Sequence, residues 1–188
     1  MDIKNETLNK IKGGLIVSCQ ALKTEPLYDS YIMSKMAYAA MLGGAVGIRA
    51  NTIVDILAIR ERVNLPIIGI IKEEYPDSDV YITPTMKEVD ALVEIGCDII
   101  ATDATNRTRP DGKSFEEFFK EVRAKYPYQL FMADTSCFEE GKLAAELGFD
   151  LIGTTMAGYT PYTTGRKLPD CELIETYSNE LDKPIIAE

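Results

Sequence analysis

A repeated pair of segments constrains the fold of this chain more than any other feature: a short apolar run, then a stretch with helical spacing. The segments between the runs repeat apolar residues at roughly 3.6-residue intervals, which is typical of amphipathic helices. The runs are almost entirely apolar, as strands covered on both faces are. They are Gly14–Ser18, Ala45–Arg49, Ile67–Ile71, Ile99–Thr102, Gln129–Ala133, Leu151–Thr154 and Ile185–Ala187.

Such alternation predicts parallel strands, either in an open doubly wound sheet or in a closed barrel. Open sheets usually carry a glycine-rich turn after the first strand, whereas SCQALKTEP contains no glycine. The sequence therefore predicts an α/β fold of the (β/α)8 TIM-barrel type. Because 188 residues fall short of the ~250 usual for a complete barrel, we expect one incomplete domain over residues 1–188. The last helix-strand-helix segment is then missing from this chain.

Capping residues in the sequence also predict where several helices begin and end. A Ser or Thr followed three residues later by Glu predicts a capping box at the start of a helix; the matches are Thr85-x-x-Glu88, Ser114-x-x-Glu117 and Ser136-x-x-Glu139. Glycines that end a helical pattern just before an apolar run predict C-caps. These glycines are Gly43, Gly96 and Gly148.

Composition excludes several classes of function. The net charge is -10, and without a basic run the chain offers no attractive surface to nucleic acid or anionic lipid. No apolar stretch reaches the ~18 residues of a membrane span, and the charged N-terminus lacks a signal-peptide core. The 4 cysteines include no C-x-x-C pair, which favours reduced thiols. We expect a cytoplasmic protein with neither nucleic-acid nor membrane partners.

The active site of a barrel lies at the carboxyl ends of its strands. The residues that end the apolar runs are Gln20, Arg49, Lys72, Asp103, Asp134, Thr155 and Glu188. Side chains two apart on a strand share a face, so Lys72 shares one with Ile70, and Asp134 with Met132. This parity predicts one cavity faced by Gln20, Arg49, Lys72, Asp134 and Glu188. An outward network of salt bridges is the alternative.

The chain contains 0 histidines, which limits the chemistry. A catalytic triad built on histidine is excluded, as is a metal site that needs imidazole. Proton transfer must then come from Lys, Glu, Asp, Tyr or Cys. A partly desolvated lysine beside an arginine has a lowered pKa, so Lys72 suits either a base or a Schiff-base nucleophile.

Several segments go beyond generic barrel features: GLIVSCQAL, GGAVGIRAN, PIIGIIKEEYPDSDVYITPT, FMADTS, GFDLIGTTMAGYT and the terminal PIIAE. In this order, from about Gly14 to Glu188, they resemble the N-acylglucosamine-6-phosphate 2-epimerase family, also called N-acetylmannosamine-6-phosphate 2-epimerase. The resemblance implies an isomerase of sialic acid catabolism that interconverts N-acetylmannosamine 6-phosphate and N-acetylglucosamine 6-phosphate. It also implies that no metal or organic cofactor takes part.

The resemblance further implies roles for particular residues. Lys72 and Glu188 match the catalytic lysine and glutamate. The positions that line the sugar pocket match Gln20, Arg49 and Asp134, and Tyr159 lies in a loop that resembles one over the substrate. Asp103 and Arg109 are expected instead to hold the loop after the fourth strand.

Two other functions stay open at this stage. Lys72 sits where several barrel aldolases keep a Schiff-base lysine, so a sugar aldolase is one alternative. A non-catalytic barrel that binds a sugar phosphate is the other.

Family members continue beyond the final glutamate, and barrels of this kind bind phosphate with loops after strands seven and eight. We therefore expect the phosphate-binding residues outside these 188 residues. Unpaired strand edges would leave the chain unstable and inactive alone, or paired as a homodimer.

Overall fold

The computed structural model describes residues 3–188, in which strands and helices alternate. The elements are α1 (Ile3–Ile11), β1 (Ile16–Cys19), α2 (Ser30–Leu42), β2 (Gly47–Asn51), α3 (Ile53–Arg60), β3 (Ile67–Ile70), α4 (Met86–Glu94), β4 (Ile99–Asp103), α5 (Phe115–Lys125), β5 (Leu130–Asp134), α6 (Phe138–Glu146), β6 (Leu151–Gly153), α7 (Cys171–Glu180) and β7 (Ile185–Ile186). Residues 1 and 2 of the predicted domain lie outside the described residues.

The chain forms two compact units. One comprises Met1–Lys72 and Lys87–Ile100, and the other comprises Glu73–Met86 and Ala101–Glu188. In the first unit β1, β2, β3 and the start of β4 pair in that order, and in the second the end of β4 is followed by β5, β6 and β7. The strand pairs with a recorded register in each unit are parallel.

This order confirms the predicted class, a TIM-barrel-like α/β fold. Residues 3–188 contribute seven strands, whereas a closed barrel of this class has eight. The assignment of a single domain stays a prediction. No helix within the described residues is long and apolar enough to cross a membrane.

Helices α2 and α3 pack together in the first unit. Met33 and Ala37 of α2 and Ile56 and Ile59 of α3 are almost completely buried. Burial of a methionine or isoleucine side chain contributes about 1.5–3 kcal/mol, and burial of an alanine side chain less. These contacts fix the helices that follow β1 and β2.

An aromatic cluster occupies the core of the second unit. The ring of Phe119 in α5 stacks on Phe149 with centroids 3.5 Å apart, and its edge meets Phe131 of β5 at 5.5 Å. All three rings are fully buried. The cluster fixes α5 against β5, so Phe131 points towards the helices.

One predicted capping box is confirmed and one is wrong. Ser114 caps α5, with the reciprocal contact from Glu117. The third, Thr85-x-x-Glu88, stays a prediction, although α4 begins at Met86, directly after Thr85. The box at Ser136-x-x-Glu139 is wrong, because α6 starts at Phe138 with Cys137 as an N-cap that makes no side-chain bond. Ser136 contacts Glu140 instead, through both its backbone N–H and its hydroxyl.

Glycines end the helices largely as predicted. Gly96 and Gly148 follow α4 and α6 in the left-handed region, with φ of 67° and 89°. Gly43 is the C-cap of α2 but keeps a right-handed φ of -77°. The left-handed residue there is Gly44, with φ of 94°, so the chain reverses one residue later than the sequence suggested.

The β2 strand is longer at its carboxyl end than its apolar run. The run predicted Arg49 as the last residue, whereas β2 continues to Asn51. Ala50 and Asn51 stay in the sheet because they pair with Gly69 and Ile70 of β3. Arg49 therefore lies in the middle of the strand, two residues before its end.

Candidate active site

In the first unit, Lys72 lies on the side of β3 that faces away from the helices. A Cβ added to Gly69 would meet side chains of α3 and α4, so Gly69 points at the helical layer. Ile68 and Ile70 must then point the other way. Lys72, two residues beyond Ile70, continues that row and is partly exposed.

Arg49 belongs to the same face. In the parallel register Ser18 pairs with Arg49, and Arg49 pairs with Ile68; paired residues point to the same side of a sheet. Its side chain is deeply buried, at 4% exposure. Arg49 and Lys72 are therefore two cationic side chains on adjacent strands and one face.

Gln20 follows β1 and turns towards this face as well. Its amide Nε2 donates to Ser18 Oγ at 2.8 Å, and Ser18 is the strand partner of Arg49. Its Oε1 is buried, and the described residues provide no donor for that atom. A buried amide oxygen without a donor is unfavourable unless a bound molecule supplies one.

The backbone of Lys72 is held by the end of β2. Asn51 is buried, and its Oδ1 accepts the Lys72 amide hydrogen at 2.9 Å. The next residue, Thr52, has φ of 68° and ψ of 149°, a region that residues other than glycine rarely occupy. Its hydroxyl accepts from Asp55 N at 3.2 Å and so caps α3.

In the second unit, Asp134 ends β5 on the face turned away from α5. Phe131 packs on α5, and Asp134 has the opposite parity. Its carboxylate is fully buried and accepts a hydrogen bond from Thr155 Oγ1 at 2.7 Å. The carboxylate is thus oriented by the end of the neighbouring strand β6.

Glu188 lies beyond β7 on the same face as Asp134. Asp134 pairs with Gly153, and Gly153 pairs with Ile186; Glu188 is two residues further on. The Glu188 amide donates to Thr154 Oγ1 at 3.1 Å, and the residue is exposed. The strand register therefore brings Asp134 and Glu188 to one face.

Tyr159 lies in the loop after β6, and its side chain is largely exposed, at 67%. This loop and two others meet at Glu140, a buried carboxylate of α6. One oxygen accepts from Ser136 N at 2.7 Å and Ser136 Oγ at 2.8 Å, and the other accepts from Asn106 N at 2.9 Å and from the Tyr162 hydroxyl. Glu140 thereby fixes the loops after β4, β5 and β6.

Strand pairing thus groups Gln20, Arg49 and Lys72 in the first unit, and Asp134 and Glu188 in the second. Along β2 and β5, the alternation of side chains between the two faces of the sheet is the one predicted from the sequence. That both groups line one cavity stays a prediction.

A family model described as "NanE: Putative N-acetylmannosamine-6-phosphate epimerase" matches residues 33–188. A relative from Listeria welshimeri, named "Putative N-acetylmannosamine-6-phosphate 2-epimerase", is 55% identical over 190 residues, which cover 99% of this chain and 80% of the relative. The chain belongs to this epimerase family.

A solved structure of the N-acetylmannosamine-6-phosphate 2-epimerase from Clostridium perfringens is also similar, at 50% identity and a TM-score of 0.89. The alignment covers 95% of this chain and 77% of that enzyme. A 2-keto-3-deoxy-6-phosphogluconate aldolase from Zymomonas mobilis aligns with a TM-score of 0.58 at 15% identity, over 97% of this chain and 75% of the aldolase. The aldolase shares the fold alone.

This member of the epimerase family has an additional polar cluster that the sequence did not reveal. Tyr81 is half-buried, and burial raises the pKa of its phenol; Arg107 opposes that shift, whereas Asp103 and Asp134 reinforce it. Its phenol is protonated at neutral pH with or without this shift, so Tyr81 can donate a hydrogen bond. It lies in the irregular segment between β3 and α4, where no periodic pattern marks it.

Asp103 and Arg109 hold the loop after β4, as predicted. Asp103 is buried and accepts from Thr105 and from Arg107. Arg109 donates to Pro84 O at 2.7 Å and lies 3.7 Å from the ring centroid of Phe118. Within residues 3–188, no group of three or more His, Cys, Asp or Glu side chains could hold a metal ion.

Proposed function

We propose that this chain interconverts N-acetylmannosamine 6-phosphate and N-acetylglucosamine 6-phosphate, in the breakdown of sialic acid. The observation that carries the proposal is the strand register of the first unit, in which Arg49 pairs with Ile68 on the face away from the helices, the face on which we infer that Lys72 also lies. This register occurs in a chain 55% identical to a relative named as such an epimerase.

The chemistry follows from the acidity of one hydrogen. In the open-chain sugar, the hydrogen on C2 lies next to the aldehyde, so its removal leaves an enolate stabilised by the carbonyl oxygen. Return of a proton to the opposite face inverts C2 and regenerates the aldehyde. Lys72 transfers the C2 protons, since the chain has no histidine and an amine in a partly desolvated site is a suitable base.

The remaining site residues bind or assist. Arg49 stabilises the negative charge that develops on the aldehyde oxygen, as a fixed cation does in a water-poor site. Gln20 assists Arg49 there, as a hydrogen-bond donor through its amide Nε2. Asp134, oriented by Thr155, accepts from a sugar hydroxyl. Glu188 moves protons at the sugar oxygens during ring opening, or supplies the proton that returns to the opposite face of C2.

Tyr159 contacts the substrate from the loop after β6. Its large exposed surface leaves the ring accessible to a ligand, and aromatic rings pack well on sugar faces.

The proposal extends to the setting of the enzyme. The net charge of -10 offers nucleic acid and anionic lipid no attractive surface, which supports an enzyme without such partners. We also propose a cytoplasmic location and a small phosphosugar substrate. We further propose a homodimer. Light scattering on the purified protein at several concentrations tests that state, and a constant monomer mass would contradict it.

Exchange of the C2 hydrogen tests the catalytic assignment. In the full-length protein, we expect Lys72→Ala to abolish exchange of this hydrogen with deuterated water, followed by proton NMR of either sugar phosphate. Lys142→Ala removes an exposed lysine of α6 and should exchange at the normal rate. Near-normal exchange in Lys72→Ala would reject Lys72 as the base.

The same experiment separates the alternatives. A barrel that only binds sugar phosphate would bind without any exchange in the unmodified protein. A Schiff-base aldolase would instead yield a Lys72 adduct after borohydride trapping with a keto-acid, detected by mass spectrometry. Exchange without an adduct is the outcome that we expect for the epimerase.

A further inference from the structure

Asn51 occupies an unusual position at the end of β2. In β3 the Ile70 carbonyl faces β2 and accepts from Thr52 N at 3.1 Å. The N–H and C=O of one strand residue point in the same direction, and this direction repeats every second residue. The Lys72 amide is therefore the next donor that faces β2.

The β2 strand ends at this point, because the chain leaves the extended conformation at Thr52. With φ of 68°, Thr52 turns into α3, where its hydroxyl caps Asp55 N. Asp55 in turn accepts from Ser30 Oγ at 2.6 Å. The side chain of Asn51 supplies the acceptor for the Lys72 backbone amide, with Oδ1 at 2.9 Å from the backbone nitrogen of Lys72.

We propose that Asn51 is a positioning residue for Lys72. Its carboxamide oxygen fixes the backbone of Lys72 two residues past the end of β3, and with it the direction in which the lysine side chain leaves the sheet. Asn51 is 3% exposed, so the acceptor is shielded from water that could replace it. The inference rests on the proposed role of Lys72 as the base.

The effect on catalysis follows from the demands of proton transfer. A base must approach the C2 hydrogen within a narrow range of distance and angle, and a displacement of about 1 Å can lower the rate by on the order of 100-fold. Substrate binding depends on other groups, so the loss falls on kcat more than on KM.

Two substitutions with opposite expectations test the proposal in the full-length protein. Asn51→Ala removes the acceptor, and we expect kcat to fall by roughly 10- to 100-fold while KM changes little. Asn51→Asp has the same shape and keeps an oxygen acceptor, so most of kcat should return. Asn64→Ala replaces an exposed asparagine of the same unit and should leave kcat unchanged.

A readout independent of activity follows the contact itself. Hydrogen exchange of the Lys72 amide, measured by NMR, should accelerate in Asn51→Ala and stay slow in Asn51→Asp. A melting temperature for each variant shows whether the lost kcat reflects unfolded protein. If Asn51→Ala does not fold, Asn51→Leu, which is similar in size and lacks an acceptor, takes its place.

The results that overturn the proposal are definite. Unchanged exchange of the Lys72 amide in the variant without an acceptor, a kcat within about twofold of normal, or an Asn51→Asp as impaired as Asn51→Ala would each reject it. Failure of the proposed function is distinguishable, because the unmodified protein would then not exchange the C2 hydrogen of the sugar phosphate, while hydrogen exchange of the Lys72 backbone amide would still report the contact with Asn51.

Discussion

Thr52 combines a helix cap with a strained backbone. Its φ of 68° and ψ of 149° cost a residue with a Cβ about 1–3 kcal/mol, and its hydroxyl caps α3 through Asp55 N. We expect Thr52→Ala to lower the free energy of unfolding by about 1 kcal/mol, since the cap is lost and the strain remains. Thr52→Gly should cost less, because glycine occupies this region freely.

Urea unfolding of the two Thr52 variants measures the difference. Equal losses would mean that the conformation at Thr52 carries no strain.

Arg49 is the second residue for which burial gives a definite expectation. It lies in the middle of β2 at 4% exposure. In the full-length protein, we expect Arg49→Ala to lower kcat/KM by about 100-fold, the usual cost of removing a charge-stabilising donor. Arg49→Lys should recover only part of it, because the planar fork of donors is lost.

Thermal unfolding of the Arg49 variants provides the control. A melting temperature far below that of the parent would place Arg49 in a structural network instead.

For single residues, the sequence predicted which side chains share a face of a strand, because side chains alternate strictly between the two faces. Parity along strands placed Asp134 with Met132, and the register of β5 agrees. It also placed Lys72 with Ile70, and Lys72 lies two residues beyond the end of β3. The sequence did not predict Asn51 and Tyr81 as site residues, because the position of each depends on tertiary contacts. Asn51 was outside the predicted strand until pairing with β3 extended it, and Tyr81 lies in a segment without regular structure.

Among the elements, α5 offers a test that depends on pH. The backbone N–H of Ser114, and then its hydroxyl, lower the pKa of Glu117 below the ordinary 4.5. A carboxyl with a lowered folded-state pKa stabilises the protein above its unfolded-state pKa, and this contribution is lost as the pH falls through the folded-state pKa. The affected range therefore begins near pH 4.5 and extends downward.

Glu117→Gln removes this titration. We expect the stability difference between the parent and Glu117→Gln to shrink between about pH 7 and about pH 3.5, measured by urea unfolding. Glu116→Gln removes a charge from the same turn without touching the cap. A difference that stays constant with pH would show that the capping contact does not select the ionised carboxylate.

The elements themselves were predicted well, because apolar runs and cap residues are local signals. Each of the seven apolar runs overlaps a strand. The errors arose where tertiary contacts outweigh local ones. The sequence predicted a contact between Ser136 and Glu139, but the adjacent Glu140 accepts four hydrogen bonds from the loops around it. Ser136 donates to Glu140 and therefore does not cap α6.

For the whole molecule, the reactivity of the cysteines measures how well the core is shielded from solvent. Cys19, Cys97 and Cys137 are buried and Cys171 is exposed, all as free thiols. Burial raises the pKa of Cys97 to about 12 and that of Cys137 to about 11, which suppresses the reactive thiolate. We expect Ellman's reagent to label Cys171 alone in the native protein, and every thiol after unfolding.

Cys171→Ser should remove the fast phase of labelling. A fast phase that persists in this variant would show that one of the three buried thiols opens to solvent in the native protein.

The four hydrogen bonds at Glu140 also determine how the loops can diverge. A loop that depends on nothing else can be exchanged between homologous enzymes in one step, but the loops after β4, β5 and β6 here share one carboxylate. Replacing one of them alone would leave the buried Glu140 carboxylate short of a donor, at about 1–3 kcal/mol for each lost hydrogen bond. A chimera that alters substrate preference through the loop bearing Tyr159 must therefore transplant Ser136, Glu140 and Tyr162 as a set.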